Sequence, residues 1–228
     1  MAIINAINNR TYSLTVDPET IGDSFIQFAI NSTDKFRIGI DDTDDLFHIS
    51  QGSALGTNDT FVMTTAGERT MPLQPALSRR PKYGSSQVNK TGDGTYYQYG
   101  PNSYGEISPD FFDQGSNMST AGVITSPVTG RYEIIFRNQM SASAAEMGAT
   151  DEAILQIITS NRTYSRLTEV NSGNITAINR LGRTVTIFAD MDAADTATFW
   201  VMYGGGTRTI DCQTSTNPRT LFCAHLVC

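Results

Sequence analysis

Ser126-Pro127-Val128-Thr129-Gly130-Arg131-Tyr132-Glu133-Ile134-Ile135-Phe136 is the stretch whose reading decides the fold. A turn rich in Pro and Gly runs straight into Tyr132–Phe136, a β-branched and aromatic run that predicts a core strand. Pro127 has no N–H to give to a ladder and belongs at a strand start. Gly130 is expected to take the positive φ of a tight turn, which makes the stretch a hairpin entry. Short strand patterns recur on both sides, helical periodicity is scarce, and Leu221 to Val227 predicts a closing strand. The fold class read from this pattern is all-β, with a sandwich sealed by its last strand.

The chain has 228 residues, enough for one large or two small domains. A net charge of −7, without a face rich in Lys and Arg, points away from nucleic acid. No apolar run approaches the ~18 residues of a membrane-spanning helix, so no membrane insertion is expected. Met1 to Asn9 alternates Ile and Ala with Asn and lacks the basic start and long apolar centre of a secretory signal. Cys212, Cys223 and Cys228 are odd in number and lack metal-ligand spacing, so they fit neither a disulfide framework nor a zinc site.

The first third predicts a series of thin strands. Tyr12, Leu14 and Val16 alternate with polar residues, and Ile26, Phe28 and Ile30 share one face. Phe36, Ile38 and Ile40 lead through the acidic turn Asp41-Asp42-Thr43-Asp44-Asp45 into Leu46–Ser50, a hairpin with a charged tip. Phe61 to Thr65 follows, and Ala66-Gly67-Glu68 turns into Thr70–Leu73. A segment of such hairpins cannot bury enough apolar surface alone, which predicts an oligomer that shares its core around an axis. From Gln74 to Asp93 the pattern lapses into Pro75, Pro81 and the basic group Arg79, Arg80 and Lys82. This reads as a linker with a solvated turn and divides the chain into 1–74 and 75–228.

In the second domain, Thr95–Tyr99, Val123–Thr125, Ile154–Thr159, Thr163–Leu167, Thr184–Asp190 and Phe199–Tyr203 predict strands, and Phe111-Phe112-Asp113-Gln114-Gly115 a bulky pair before a turn. About eight strands at regular spacing make a jelly roll the leading topology.

Phe112-Asp113 and Val123-Ile124-Thr125-Ser126-Pro127-Val128-Thr129-Gly130-Arg131-Tyr132-Glu133-Ile134 resemble the signature of the complement-type globular head, a trimeric jelly roll related to the tumour necrosis factor family. Thr220–Leu226 is similar to that family's closing strand, whereas Asp190-Met191-Asp192 replaces its usual Gly-Asp. Separately, Asp34–Asp41, Phe47-His48-Ile49-Ser50, Leu55-Gly56 and Ala66-Gly67-Glu68 resemble a strand-turn module of bacteriophage and other viral fibres, where it commonly precedes such a head. The two resemblances imply a homotrimeric virion protein, a tail or head fibre, assembled in the host cytoplasm. Its N-terminal module would contact other virion proteins, and its head would face a host-surface glycan or protein. A capsid decoration protein without a host ligand is the alternative, and a carbohydrate-degrading fibre tip a further one.

Catalysis has little material to work with. His48 and His225 lie within alternating strands and read as structural. Cys223 and His225 share a strand face that a thiol–imidazole pair needs, but nothing nearby suggests activation. Asp110, Asp113, Asp151 and Glu152 fall in loops, although paired glycosidase carboxylates also require a long groove. The chain is therefore expected not to be an enzyme, and no organic cofactor is expected. Either acidic turn reads as a solvated tip that discourages edge pairing. If calcium binds, Asp190, Asp192 and Asp195 are the ligands to which the family resemblance assigns it. Tyr96, Tyr97, Tyr99 and Tyr104, with Tyr83 nearby, are the candidate aromatics for a subunit interface or a sugar ring.

Overall fold

The computed structural model describes residues 22–82, 90–100, 107–141, 152–169, 180–206, 209–212 and 219–228. The chain divides into two compact units, Met1–Leu73 and Gln74–Cys228.

In the first unit, β1 (Ser24–Ile30), β2 (Thr33–Ile40), β3 (Phe47–Gln51), β4 (Asp59–Met63) and β5 (Arg69–Thr70) form one antiparallel sheet in chain order. Asn31 and Ser32 both take positive φ between β1 and β2, the backbone of a two-residue hairpin turn whose twist matches its strands. Register then sorts the side chains. Ile26, Ile38, Ile49 and Phe61 stand in one row across four strands, with Phe28 opposite Phe36 and with Ile40, Phe47 and Met63 in line beside them. Because strand side chains alternate, the other face carries Phe25, Gly39, His48 and Val62 in one row and Gln27, Arg37, Ser50 and Asp59 in the next. Gly39 is required there, since a Cβ would lie 2.1 Å from the Ser24 carbonyl oxygen.

The second unit contains β6 (Ala76–Pro81), β7 (Lys90–Thr91), β8 (Tyr96–Gln98), β9 (Ile107–Gln114), β10 (Val123–Thr125), β11 (Gly130–Ser141), β12 (Glu152–Thr159), β13 (Thr163–Glu169), β14 (Arg180–Met191), β15 (Thr196–Gly204), β16 (Thr209–Cys212) and β17 (Leu221–Leu226). These strands make two antiparallel sheets, each built on one long strand. β11 pairs along its whole length with β14; on its other side it pairs first with β17 and then with β16, and β6 and β9 extend the sheet beyond β17. β15 pairs likewise with β12 on one side and with β10 and β8 on the other, with β13 outside β12. The alternating residues Tyr132, Ile134 and Phe136 of β11 are buried, as are Ala153, Leu155 and Ile157 of β12 and Val185, Ile187 and Ala189 of β14. Phe136, Phe199, Phe222 and Tyr99 form the centre, with ring centroids 4.7 Å apart for Phe199–Phe222 and 5.1 Å for Tyr99–Phe222. A polar thread crosses this core: the Tyr99 hydroxyl donates to Asn138 Oδ1 at 2.5 Å, and Asn138 Nδ2 donates to the Tyr203 hydroxyl at 3.0 Å.

Three expectations change. The stretch read as a linker holds β6, an interior strand between β17 and β9. Leu77 is buried, and the Arg79 guanidinium, far from a solvated turn, stands 2.7 Å from Asp113 Oδ2. Asp113 in turn accepts the N–H groups of Asn117 and Met118, so a buried ion pair fixes the turn after β9.

The organising stretch is also an arch rather than a hairpin. β10 lies in one sheet and β11 in the other, and residues 126–129 cross between them. The β14–β15 connection makes the same crossing alongside: Ser126 N–H donates to the Asp195 carbonyl and Ala194 N–H to the Ser126 carbonyl, each at 2.8 Å. The Tyr132 hydroxyl closes the arch on the Val128 carbonyl at 2.9 Å.

Gly130, finally, is not in the positive-φ region. It is needed because a Cβ there would lie 2.5 Å from Leu226 Cδ1 and 2.7 Å from the Cys228 carbonyl oxygen.

Phe136→Ala is expected to lower the unfolding free energy by about 3–5 kcal/mol, measured by urea denaturation. Tyr132→Phe, which deletes the arch hydrogen bond and keeps the ring, is expected to lose about 0.5–1.5 kcal/mol in the same assay.

Candidate functional site

Alternation in β1 to β4 places apolar side chains on one face of the first unit's sheet, and that face is open. Ile26, Phe28 and Ile30 are 45%, 54% and 63% exposed, and Phe36 and Ile40 are exposed with them. Among the described residues of this unit, Leu55 is the one buried hydrophobic side chain. At the hairpin end the face deepens into a groove of about 810 Å³ lined by Gln27, Phe28, Ala29, Ile30, Lys35 and Phe36. A sheet face of this kind, apolar across four strands in register, has the chemistry of an interaction surface, which single scattered apolar residues do not produce. The sequence showed that Ile26, Phe28 and Ile30 share a face. Which residues of the other strands join them depends on pairing that a periodicity alone does not supply.

The opposite edge of the same unit gathers ionisable groups. Asp41, Asp44 and His48 each bring one ligand atom to within 4.8 Å of the others, and Asp23, Asp41 and Asp42 do the same. Among the described residues these are the sets of at least three that could hold a metal ion, and neither contains Asp190, Asp192 or Asp195. The turn to which calcium was assigned is taken up by structural bonds. Asp190 Oδ1 accepts from Arg131 Nε at 2.9 Å, while Asp195 Oδ2 accepts Asn161 Nδ2 at 2.7 Å and the Asp192 N–H at 3.0 Å. Asp190 is the penultimate residue of β14, and Asp195 lies within the arch beside Ser126, so their carboxylates serve different elements.

The candidate tyrosines separate by environment. Tyr99 is 0% exposed and belongs to the core of its own sandwich, so in this structure it reaches neither a subunit interface nor a sugar. Tyr97 packs against the core, accepts the Thr91 N–H at 3.2 Å on its hydroxyl, and has Lys90 Nζ 5.3 Å from its ring centroid. Tyr96 is exposed. Tyr83 and Tyr104 lie outside the described residues, as do Tyr12, Leu14, Val16, Asp151 and the side chain of Asp110.

The proposed thiol–imidazole neighbours do not meet. His225 Nε2 faces Glu133 Oε2 at 3.4 Å, and Cys223 Sγ donates to Ser78 Oγ at 3.5 Å. Burial pushes the Cys223 thiol up, and the bond to Ser78 only partly offsets it.

No family model matches the chain, and no curated protein matches it. Among solved structures, the chain is similar to the globular domain of zebrafish complement 1qA protein, with 13% identity, 68% of this chain and 98% of that one covered, and a TM-score of 0.38. It is also similar to murine APRIL crystallised at pH 8.0, with 9% identity, 68% and 99% covered, and a TM-score of 0.45.

The two described thiols are expected to react unequally. An alkylating reagent followed by peptide mass mapping should label the exposed Cys228 promptly and the half-buried Cys223 more slowly; equal rates would contradict the partly shielded, proton-retaining thiol.

Proposed function

We propose that the chain is a non-enzymatic structural protein of a bacteriophage particle, a homotrimeric tail or head fibre. Its first unit packs against copies of itself and against other virion proteins, and its jelly-roll head is turned outward for host attachment. Assembly would take place in the host cytoplasm. The observation that carries this reading is the uncovered apolar face of the β1–β4 sheet. Every copy presents the same uncharged row of Ile and Phe, so copies related by a rotation axis can bury it mutually, and the near-absence of buried apolar side chains makes that burial a condition of stability. The resemblance of Asp34–Asp41 and Phe47–Ser50 to a viral fibre module, and of the Pro127–Tyr132 run to a trimeric head, supports the same order of parts. Weak head sites repeated about one axis would act together through multivalency.

Light scattering on the full chain is expected to give three times the 24.8 kDa chain mass, and Ile26→Asp with Phe28→Asp to reduce it to the single mass. A cooperatively melting wild-type monomer at micromolar concentration overturns the proposal. A glycan array probed with the trimer is expected to show saccharide binding. Absence of binding would assign the protein to particle decoration, and release of reducing ends would overturn the non-enzymatic reading.

A further inference from the structure

The β2–β3 loop concentrates negative charge around a buried histidine. Asp41 is 7% exposed; its Oδ1 accepts the Thr43 N–H at 2.8 Å, and among the described residues no donor reaches its Oδ2. That oxygen lies over Gly56, where a Cβ would come within 2.2 Å of it, so the glycine at positive φ keeps room for the carboxylate. Asp44 Oδ1 accepts the Leu46 N–H at 3.0 Å and stands 3.2 Å from Nε2 of His48, itself 2% exposed. Asp23, ahead of β1, closes the group by accepting the Asp42 N–H at 3.2 Å. Among the described residues, no Lys or Arg forms an ion pair with Asp23, Asp41, Asp42 or Asp44.

Asp41, nine-tenths buried and with one carboxylate oxygen that no donor among the described residues reaches, stands among like charges, an arrangement that a cation would relieve. The far side of His48 has the outer partner that imidazole ligands use. Nδ1 is buried 3.0 Å from Asp59 Oδ2, although it is not aligned for a hydrogen bond, and the same carboxylate accepts the Ser50 hydroxyl.

We propose that Asp41, Asp44 and His48 form a divalent-cation site, with Asp23 and Asp42 completing its carboxylate shell. The site takes a borderline transition ion such as Zn²⁺ or Mn²⁺ in preference to Ca²⁺, because one donor is an imidazole nitrogen and Ca²⁺ requires an all-oxygen shell. The proposal does not depend on the trimer, since every ligand comes from one copy.

The test is calorimetric titration of the chelator-stripped full chain with ZnCl₂, MnCl₂ and CaCl₂, alongside thermal melting. One Zn²⁺ or Mn²⁺ per chain and a raised melting temperature are expected. Asp44→Asn and Asp23→Asn, at residues that are not buried, should each weaken binding by about 10-fold or more while near-ultraviolet circular dichroism is unchanged. Asp190→Asn, in the other acidic turn, should leave binding as it is. Absence of saturable binding, binding unaltered in both Asp44→Asn and Asp23→Asn, or a site that takes Ca²⁺ alone each overturns the proposal.

Discussion

A sheet has two faces, and each needs cover; this constraint orders the whole chain. The second unit meets it internally. Its two sheets turn Ile134, Phe136 and Phe222 toward Leu155, Ile157 and Phe199, and the outward residues between them are the more polar half of each alternation. The first unit has a single sheet and no second layer among its described residues. Its polar face is partly self-supporting, with Phe25 beneath the Arg37 guanidinium at 4.1 Å from the ring centroid and with His48 set between carboxylates. Its apolar face has no such arrangement. The difference between the units is therefore one of layers: the first leaves an apolar face exposed that the second covers.

Much of this was legible in the residues. Alternation marks β11, β12 and β14 because one face of each is buried and the other is not, whereas in β2 and β3 the alternating apolar side chains lie on a face that is not buried. β6 escaped because Ala76-Leu77-Ser78-Arg79-Arg80-Pro81 has a single strong apolar residue, and its inward Arg79 is acceptable only beside Asp113, a partner on another strand. Turn chemistry at Pro127 and Gly130 was readable, but an arch and a hairpin use the same residue types. Only the pairing of Thr125 with Thr196 and of Gly130 with Met191 tells them apart. Tyr99 sits among other tyrosines in sequence and is distinguished by Asn138, which waits across the core to receive its hydroxyl. Long-range partners, in each instance, carried what local pattern could not.

The two acidic turns show how little a local run of carboxylates decides. Asp190 and Asp195 lie at a corner where two arches run side by side, and donors come from every direction: Arg131, Asn161 and the Asp192 backbone. Their charge is spent on geometry, holding the crossing between sheets. Asp41 to Asp44 lie at the end of a single-layer sheet, where fewer donors exist and the nearest basic group is His48. The same residue type is a satisfied structural element in one turn and an electron-rich cluster in the other. What each turn meets in space, and not the number of its aspartates, sets its chemistry.

A single-layer sheet must also hold its strands in register before any partner covers it. The group around Asp41 draws on the chain ahead of β1 through Asp23, on the β2–β3 loop through Asp41 and Asp44, on β3 through His48 and Ser50, and on β4 through Asp59. Polar cross-links therefore span strands that lack a packed layer to align them, a role that small domains otherwise give to disulfides or metals. Such links sit on the polar side and at the loop end, away from the Ile26–Ile38–Ile49–Phe61 row. The opposed chemistry of the two faces follows from this division: one cross-links the strands of the sheet, and the other presents its apolar side chains without such links.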